Sequence, residues 1–363
     1  MNENYVTLGQ VCDKGSSNIA QKDLAEREGQ YPIYGAAGLI KNVDFAHQKQ
    51  PYIAVVKDGA GIGRVMKLPA YSSVIGTMQY IFPKENVDID YLFYALQHMN
   101  LGKYFSGSTI PHIYFRDYQK ERLKLPVMEV QQRQADTLSR IDALSAYGQR
   151  QIALMDEIVK SRFVEMFGDR NYPHTALINL IKDGMGLSYG IVQPGDDGTG
   201  EMGVLRPVDM ADGKISMASI KYIDRSIGDG FRKTELTGDE LLITVRGTTG
   251  VTALTDIRFA GMNVTRGIAV IRYDREKINP VYLNAYLNTD ESQRYIQEHT
   301  RGATLQQINL SDLRVQEVVV PPTNLQNCFA AFVAEVDKSK LAVQQSLEKL
   351  ETLKKSLMQQ YFG

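Results

Sequence analysis

Along residues 127–167, apolar side chains recur three and four positions apart at Leu138, Ile141, Ile152, Met155 and Val159, among charged and amide residues. Residues 323–362 carry the same pattern at Val333, Val336, Val343, Leu347, Leu350 and Leu357. This spacing lays one apolar stripe along a helix and predicts two long helices with a coiled-coil-like seam. Each stretch begins after proline (Pro126; Pro321–Pro322) and ends in Phe-Gly, which suits a helix start and a glycine stop. The first holds no proline and only Gly148 as an interior glycine; the second holds neither residue. Ser145, Gly148 and Arg162 interrupt the first stripe, Lys340 and Lys354 the second. A helix of about 35 residues spans ~50 Å, more than most helices of globular domains. Shared length and register favour two helices packed on each other as a rigid spacer over the alternative of plain core helices.

The segments ahead of the helices change period. Residues 1–125 and 169–320 are rich in short β-type runs, glycine and turn residues, such as Tyr52–Val56, Gln79–Phe82, Leu241–Val245 and Gly267–Arg272. A helical patch at 91–98 is echoed at 281–287. Each segment reads as a compact α+β domain. Four segments follow: 1–125, the helix 126–168, 169–320, and the helix 321–363.

The two halves are copies. Residues 107–168 lie over 302–363 at a constant offset of 195 without a gap. Identities include Gly107/Gly302, Thr109/Thr304, Ile113/Ile308, Asp117/Asp312, Pro126/Pro321, Gln131/Gln326 and Ala135/Ala330. Asp142/Asp337, Gln149/Gln344, Lys160/Lys355, Ser161/Ser356, Phe167/Phe362 and Gly168/Gly363 continue the series. Chance at average composition would supply roughly four. The period is far too long for a solenoid. The globular segments match more weakly and need gaps, so divergent heads on similar stalks are expected, one architecture reading two targets.

Composition narrows the function. The 363 residues suffice for two or three domains. No run of ~18 apolar residues suggests a membrane span, and 1–6 lacks the apolar core of a signal peptide. Cys12 and Cys328 stand far apart and read as reduced thiols of a cytoplasmic protein. A net charge of −1 is low for a chain that grips DNA alone, so any DNA partner would need positive surface supplied from elsewhere.

Catalytic constellations are missing. Asp58–Gly63 follows a predicted strand, but Arg64 stands where the dinucleotide fingerprint requires its last glycine, so a tight turn is expected. Arg246–Gly250 occupies the equivalent place, giving strand-end loops with a basic residue beside them, Lys57 or Arg246. The five histidines show no metal spacing. Asp196–Asp197 lies in a Pro-Gly-rich loop and reads as a turn. Pro321–Pro322–Thr323 lacks the aromatic of an amino-methyltransferase motif and reads as a helix start. Better candidates are the parallel loops Ser106–Tyr114 and Arg301–Asn309, whose hydroxyls, amides and glycine suit base edges and phosphates. A plain turn into a short helix is their alternative reading.

These residues carry a resemblance. Gly238-Asp-Glu-Leu-Leu-Ile-Thr-Val-Arg-Gly-Thr-Thr-Gly250 resembles a hallmark of the DNA specificity subunit of type I restriction–modification systems. So does Gly302-Ala-Thr-Leu-Gln-Gln-Ile-Asn-Leu through Val318–Pro322 and the helix beyond. The first copy matches in Gly107-Ser-Thr, Leu125-Pro126, Gln131 and Phe167-Gly168. The resemblance covers nearly the whole chain. It implies an α+β fold with two target-recognition domains alternating with two long helices, packed as an antiparallel coiled coil with an internal pseudo-two-fold duplication. It implies a non-catalytic subunit, each domain reading one half of a bipartite asymmetric site in double-stranded DNA, with the helices fixing the unread gap. Implied partners are two methyltransferase subunits that bring S-adenosylmethionine, and ATP- and magnesium-dependent motor-nuclease subunits; no cofactor is expected on this chain, and no membrane. Contacts to DNA are expected from Lys57, Arg64, Ser108, Thr109, His112 and Tyr114 in the first domain. In the second they are expected from Arg246, Thr248, Thr249, Arg266, Thr304, Gln306, Gln307 and Asn309. The alternative function is a protein-interaction scaffold with two binding heads on a helical spacer.

Overall fold

The computed structural model describes residues 5–107, 111–168, 171–195, 200–211 and 213–363. Asp196 and Asp197, read above as a turn, lie outside the described residues, as do Ser108 and Thr109. The chain forms two compact units, Met1–Gln151 with Val343–Gly363, and Ile152–Ala342.

The first unit holds strands β1 (Tyr5–Thr7), β2 (Cys12–Ser16), β3 (Tyr31–Gly35), β4 (Gly38–Val43), β5 (Tyr52–Val56), β6 (Val65–Leu68), β7 (Ser73–Val74), β8 (Met78–Pro83) and β9 (Arg122–Lys124). The second holds β10 (His174–Ala176), β11 (Ser188–Tyr189), β12 (Met202–Leu205), β13 (Met210–Ala211), β14 (Lys214–Ile215), β15 (Lys221–Ile223), β16 (Leu241–Thr244), β17 (Thr252–Leu254), β18 (Asn263–Val264), β19 (Ile268–Ile271) and β20 (Glu317–Val319). The strand orders are the same in both. A four-stranded antiparallel sheet runs β2-β8-β5-β6 in one and β11-β19-β16-β17 in the other. A three-stranded sheet runs β4-β3-β7 and β15-β12-β18, with one parallel pair in each. The pairs β1-β9 and β10-β20 complete the match, and among the described residues only the second unit adds the β13-β14 pair. The duplication therefore runs through the heads, where sequence alignment needs gaps.

The central strands explain their own placement. β5 and β16 are buried along their whole length, as continuous apolar runs covered on both faces are. Their side chains alternate between two cores. Ile53 and Val55 join the core that receives the long helices, while Tyr52, Ala54 and Val56 face the core with β3 and β7. In the second unit Leu241 and Ile243 face the helical side and Leu242 the other.

The long helices are Met128–Phe167 and Thr323–Phe362, 40 residues each. Within the first unit Lys354 bonds Asp142 at 2.5 Å, and Leu347 crowds Gly148 so closely that an added Cβ would lie 2.9 Å from its Cδ2. Within the second unit Lys340 bonds Asp156 at 2.5 Å and Phe329 meets Phe163 edge-on. In each unit the numbering rises on one helix as it falls on the other, so the segments pack antiparallel. Three interruptions of the apolar stripe acquire a cause. Gly148 admits Leu347, and Lys340 and Lys354 reach across the seam to carboxylates.

Helix ends plug the heads. Phe362 packs on Tyr91 at 5.1 Å in the first unit, whereas Phe163 and Phe167 pack on Tyr282 at 5.5 and 4.9 Å in the second. Duplicated polar ties hold the helix starts. Gln131 accepts from the Asp88 N–H at 2.9 Å and donates to the Pro126 carbonyl at 2.8 Å. Gln326 does the same with Asn279 at 2.8 Å and Pro321 at 2.7 Å. Asp88 and Asn279 in turn cap the helices Ile89–His98 and Pro280–Leu287.

Phe329→Ala is expected to cost about 3–5 kcal/mol through the cavity it leaves. Gln326→Leu should cost about 1–3 kcal/mol by leaving a buried N–H and carbonyl unpaired. Chemical denaturation followed by circular dichroism checks both sizes and their order.

Candidate nucleic-acid interface

In the second unit three backbone segments meet at the end of β16. Val245 donates to the Gly267 carbonyl at 2.8 Å, and Gly250 closes the Arg246–Gly250 loop on Thr244 at 2.9 Å. Gly247 donates to the Gln306 carbonyl at 2.9 Å, Ile308 to Val245 at 3.0 Å, and Arg301 and Gln307 exchange both bonds at 2.8 Å. Gly302 sits at φ +101°, where an added Cβ would lie 2.3 Å from the Leu305 carbonyl oxygen, so the tight loop 302–306 requires glycine there. Arg266, whose N–H is fixed on Ile191 at 2.8 Å, stands beside this frame.

The expected residues separate on it. Thr248, Arg266, Thr304 and Gln306 are exposed, and Arg246, Gln307 and Asn309 are half-buried. Among the described residues the side chains of Arg246 and Arg266 have no hydrogen-bond or ion-pair partner, which leaves two guanidinium forks available. Thr249 is buried and its hydroxyl shares a hydrogen bond with Thr300 at 3.0 Å. That bond ties the loop to Thr300 at the end of the helix Asp290–His299. Asn309 starts the helix Leu310–Val315 without capping it through its side chain. Arg301, which the sequence reading passed over, is exposed in the same loop, 3.7 Å from Asp312. Its signal was the offset mate Ser106, a different residue type at a matched loop position.

The first unit repeats the frame tie by tie. Gly59 donates to Pro111 at 2.9 Å, Ile113 to Lys57 at 2.9 Å, Gly63 to Val56 at 2.8 Å, and Ser106 and His112 exchange both bonds at 2.8 Å. Lys57 donates to Thr77 at 3.0 Å and Gly76 to Ile19 at 2.7 Å. Place for place, the counterpart of Arg246 is Asp58 rather than Lys57, because Lys57 makes the ties of Val245 and Asp58 bridges His112 as Arg246 bridges Gln307. Gly76 stands for Arg266, Pro111 for Gln306, His112 for Gln307 and Ser106 for Arg301. Strand β6, not a helix, follows Asp58–Gly63, so the glycine run is a turn rather than a phosphate loop.

Asp58 organises this tip. Its carboxylate takes His112 Nδ1 at 2.7 Å and Lys57 Nζ at 2.8 Å. His112 stacks on Tyr114 at 6.4 Å, and the Arg116 guanidinium lies 4.8 Å from the centre of the Tyr114 ring. Arg64 is exposed and bonds the Ala36 carbonyl at 2.9 Å. Burial works to raise the Asp58 carboxyl, but the bonds from His112 and Lys57 outweigh it and hold the group below its ordinary range.

The segment that carries the family hallmark is mostly scaffold. Glu240 is fully buried and accepts from the N–H groups of Thr237, Gly238 and Asp239 and from the hydroxyls of Thr237 and Thr255. Asp239 binds Tyr273 and Arg275. Gly247 and Thr248 at its far end are exposed, and Gly238, Asp239 and Arg246 are half-buried. Among the described residues no group of three or more His, Cys, Asp and Glu could hold a metal. Burial, helped by Asp13, pushes the Cys12 thiol up to about 12, which leaves it inert.

Asp58 has a folded pKa below its unfolded value, so its contribution to stability is present above the unfolded value and disappears as pH falls through the folded one. Asp58→Asn should therefore lower Tm near neutrality, and the deficit should close as pH falls below about 4. Thermal melts of both proteins across that range check the sign.

Known proteins share this architecture. The family model for the type I restriction modification DNA specificity domain matches residues 2–154 and 206–353. The EcoBI type I specificity subunit of Escherichia coli is 24% identical over 198 residues, covering 53% of this chain and 41% of that one. The chain thus spans less than half the length of that relative. The putative MjaX specificity subunit of Methanocaldococcus jannaschii is 22% identical over 292 residues, 76% of this chain and 67% of that one. The crystal structure of a type I restriction–modification S subunit from M. genitalium superposes with a TM-score of 0.63 at 15% identity, covering 100% of this chain and 97% of that one. With the family model matched over both copies, this chain belongs to the type I restriction–modification DNA specificity family.

Proposed function

We propose that the chain selects DNA for a type I restriction–modification complex. Each head reads one half of a bipartite, asymmetric site in double-stranded DNA, and the long helices set the unread gap. The observation that carries this reading is one backbone frame bearing different side chains at its tips. Hydrogen bonds tie the same loops at the same places in both heads. On them stand Arg246, Arg266, Arg301, Gln306 and Gln307 in one, and Asp58, Gly76, Ser106, Pro111 and His112 in the other. A rigid frame with exchanged polar tips is what two different half-sites require, since phosphate contacts position a protein and base-edge contacts specify sequence.

The chemistry of the tips suits base edges. Arginine matches the O6 and N7 of guanine bidentately, and glutamine the N6 and N7 of adenine. Lys57, Arg64, Thr248 and Thr304 suit phosphates or groove edges. A net charge of −1 points to partners that share in clamping the DNA. Those partners are two methyltransferase subunits carrying S-adenosylmethionine, joined for restriction by motor-nuclease subunits using ATP and magnesium. This chain binds and orients, and the bond-making groups reside elsewhere.

Long-read methylation sequencing of the host with the gene intact and deleted tests the reading. Loss of N6-methyladenine at one split motif supports it; an unchanged methylome together with no co-purifying methyltransferase refutes it. Within the complex, Arg246→Ala should weaken binding by about 1–3 kcal/mol and relax one position of a single half-site, leaving the other half as selective as before. Gln306→Ala with Gln307→Ala should behave likewise at a different position. Binding assays on a library of site variants, with salt held fixed, measure both effects.

A further inference from the structure

An apolar side chain stands uncovered at the tip of the second head's loop. Leu305 is 49% exposed and belongs to none of the unit's apolar cores. The pairing of Arg301 with Gln307 at 2.8 Å in both directions closes the loop beneath it, and Ala303 to Gln306 are all exposed. Its immediate neighbours, Thr304 and Gln306, are polar. A single exposed leucine on a protein surface is ordinary. This one has a second mark. The offset of 195 pairs it with Ile110, which lies outside the described residues, so both copies place an apolar residue there. The two positions that follow it differ between copies, Pro111 against Gln306 and His112 against Gln307. The apolar character is kept where the two following residues change, although no core of the second unit claims it.

The major groove of DNA offers one distinctly apolar feature, the 5-methyl group of thymine. Adjacent Cα atoms are about 3.8 Å apart, close to the ~3.4 Å step between stacked bases. Neighbouring residues of a loop tip therefore address the same or adjacent base pairs. We infer that Leu305 packs on a thymine methyl in the half-site of the second head, next to an adenine engaged by Gln306, and thereby sets a thymine preference at one position. This rests on the DNA-specificity reading above and adds a determinant to it. Leucine supplies no hydrogen bond, so its discrimination comes from the methyl alone and is modest.

The test uses the full chain with its methyltransferase subunits and a duplex carrying the motif found by methylation mapping. Each thymine of the relevant half-site is replaced in turn by deoxyuridine, which lacks only the methyl. The wild-type complex should lose about three- to fivefold in affinity at one position, the worth of one buried methyl-sized group. Leu305→Ala should lose a similar factor on the unmodified duplex and then be indifferent to deoxyuridine at that position. Arg246→Ala should keep the full deoxyuridine penalty, and Leu305→Val should keep part of it. An unchanged unfolding midpoint for Leu305→Ala assigns the loss to the contact. A deoxyuridine penalty undiminished in Leu305→Ala overturns the inference, as does a half-site with no thymine or no penalty in the wild type. Failure of the underlying reading is distinguishable: the wild-type complex then prefers no duplex sequence, and Arg246→Ala changes nothing.

Discussion

The structure depends on the burial of aromatic rings where the long helices enter the heads. A helix of 40 residues with one half-buried stripe gains little from its own propensity and takes its stability from tertiary packing. Here that packing is concentrated at the ends. Phe163 and Phe167 pack on both Tyr282 and Phe329 and complete the core of the second unit, while Phe362, with Leu138 and Ala135, completes that of the first. Each head core thus borrows apolar surface from both long helices, from the start of one and the end of the other. Removing a helix end would open a head as well as fray the helix.

Polar ties then set the register that apolar contact leaves loose. Apolar packing is nondirectional, and a stripe of similar aliphatic residues tolerates slippage. Asp142–Lys354 and Asp156–Lys340 each lock one crossing of the seam, and Gly148 admits Leu347 at one place only. Gln131 and Gln326 join the first turn of each long helix to the N-cap of a head helix through bonds to backbone groups. Buried amides of this kind are costly when unpaired and hold geometry when paired. The result is a head helix fixed to the start of a long helix through hydrogen bonds to backbone groups.

On that base the loops can vary. Their closures use backbone N–H and carbonyl groups, so exchanging Asp58 for Arg246 or Gly76 for Arg266 leaves the frame intact. The side chains held in place, such as Thr249 on Thr300 and Glu240 in its ring of donors, face inward. Loop closure and side-chain variation thereby rest on different atoms of the same segment.

Much of this was legible in the amino-acid order. The two long helices, their common seam, the duplication and the strand runs at Tyr52–Val56 and Leu241–Val245 follow from periodicity and from an ungapped offset of 195, because local spacing alone governs which face of an element is apolar. The lysines in the seam looked like defects, since a one-dimensional pattern does not show the carboxylate on the facing helix. The shared sheet orders of the heads were hidden because loops of unequal length break the alignment, while strand pairing, which is long-range, survives insertions. Residue type names Lys57 and Arg246 as the basic residues beside these loops, while the backbone ties show that Asp58 holds the place of Arg246. Thr249 shows the other limit. Residue type made it a plausible contact, but burial and the partner of its hydroxyl are properties of the packed chain, and only the tertiary structure decides them.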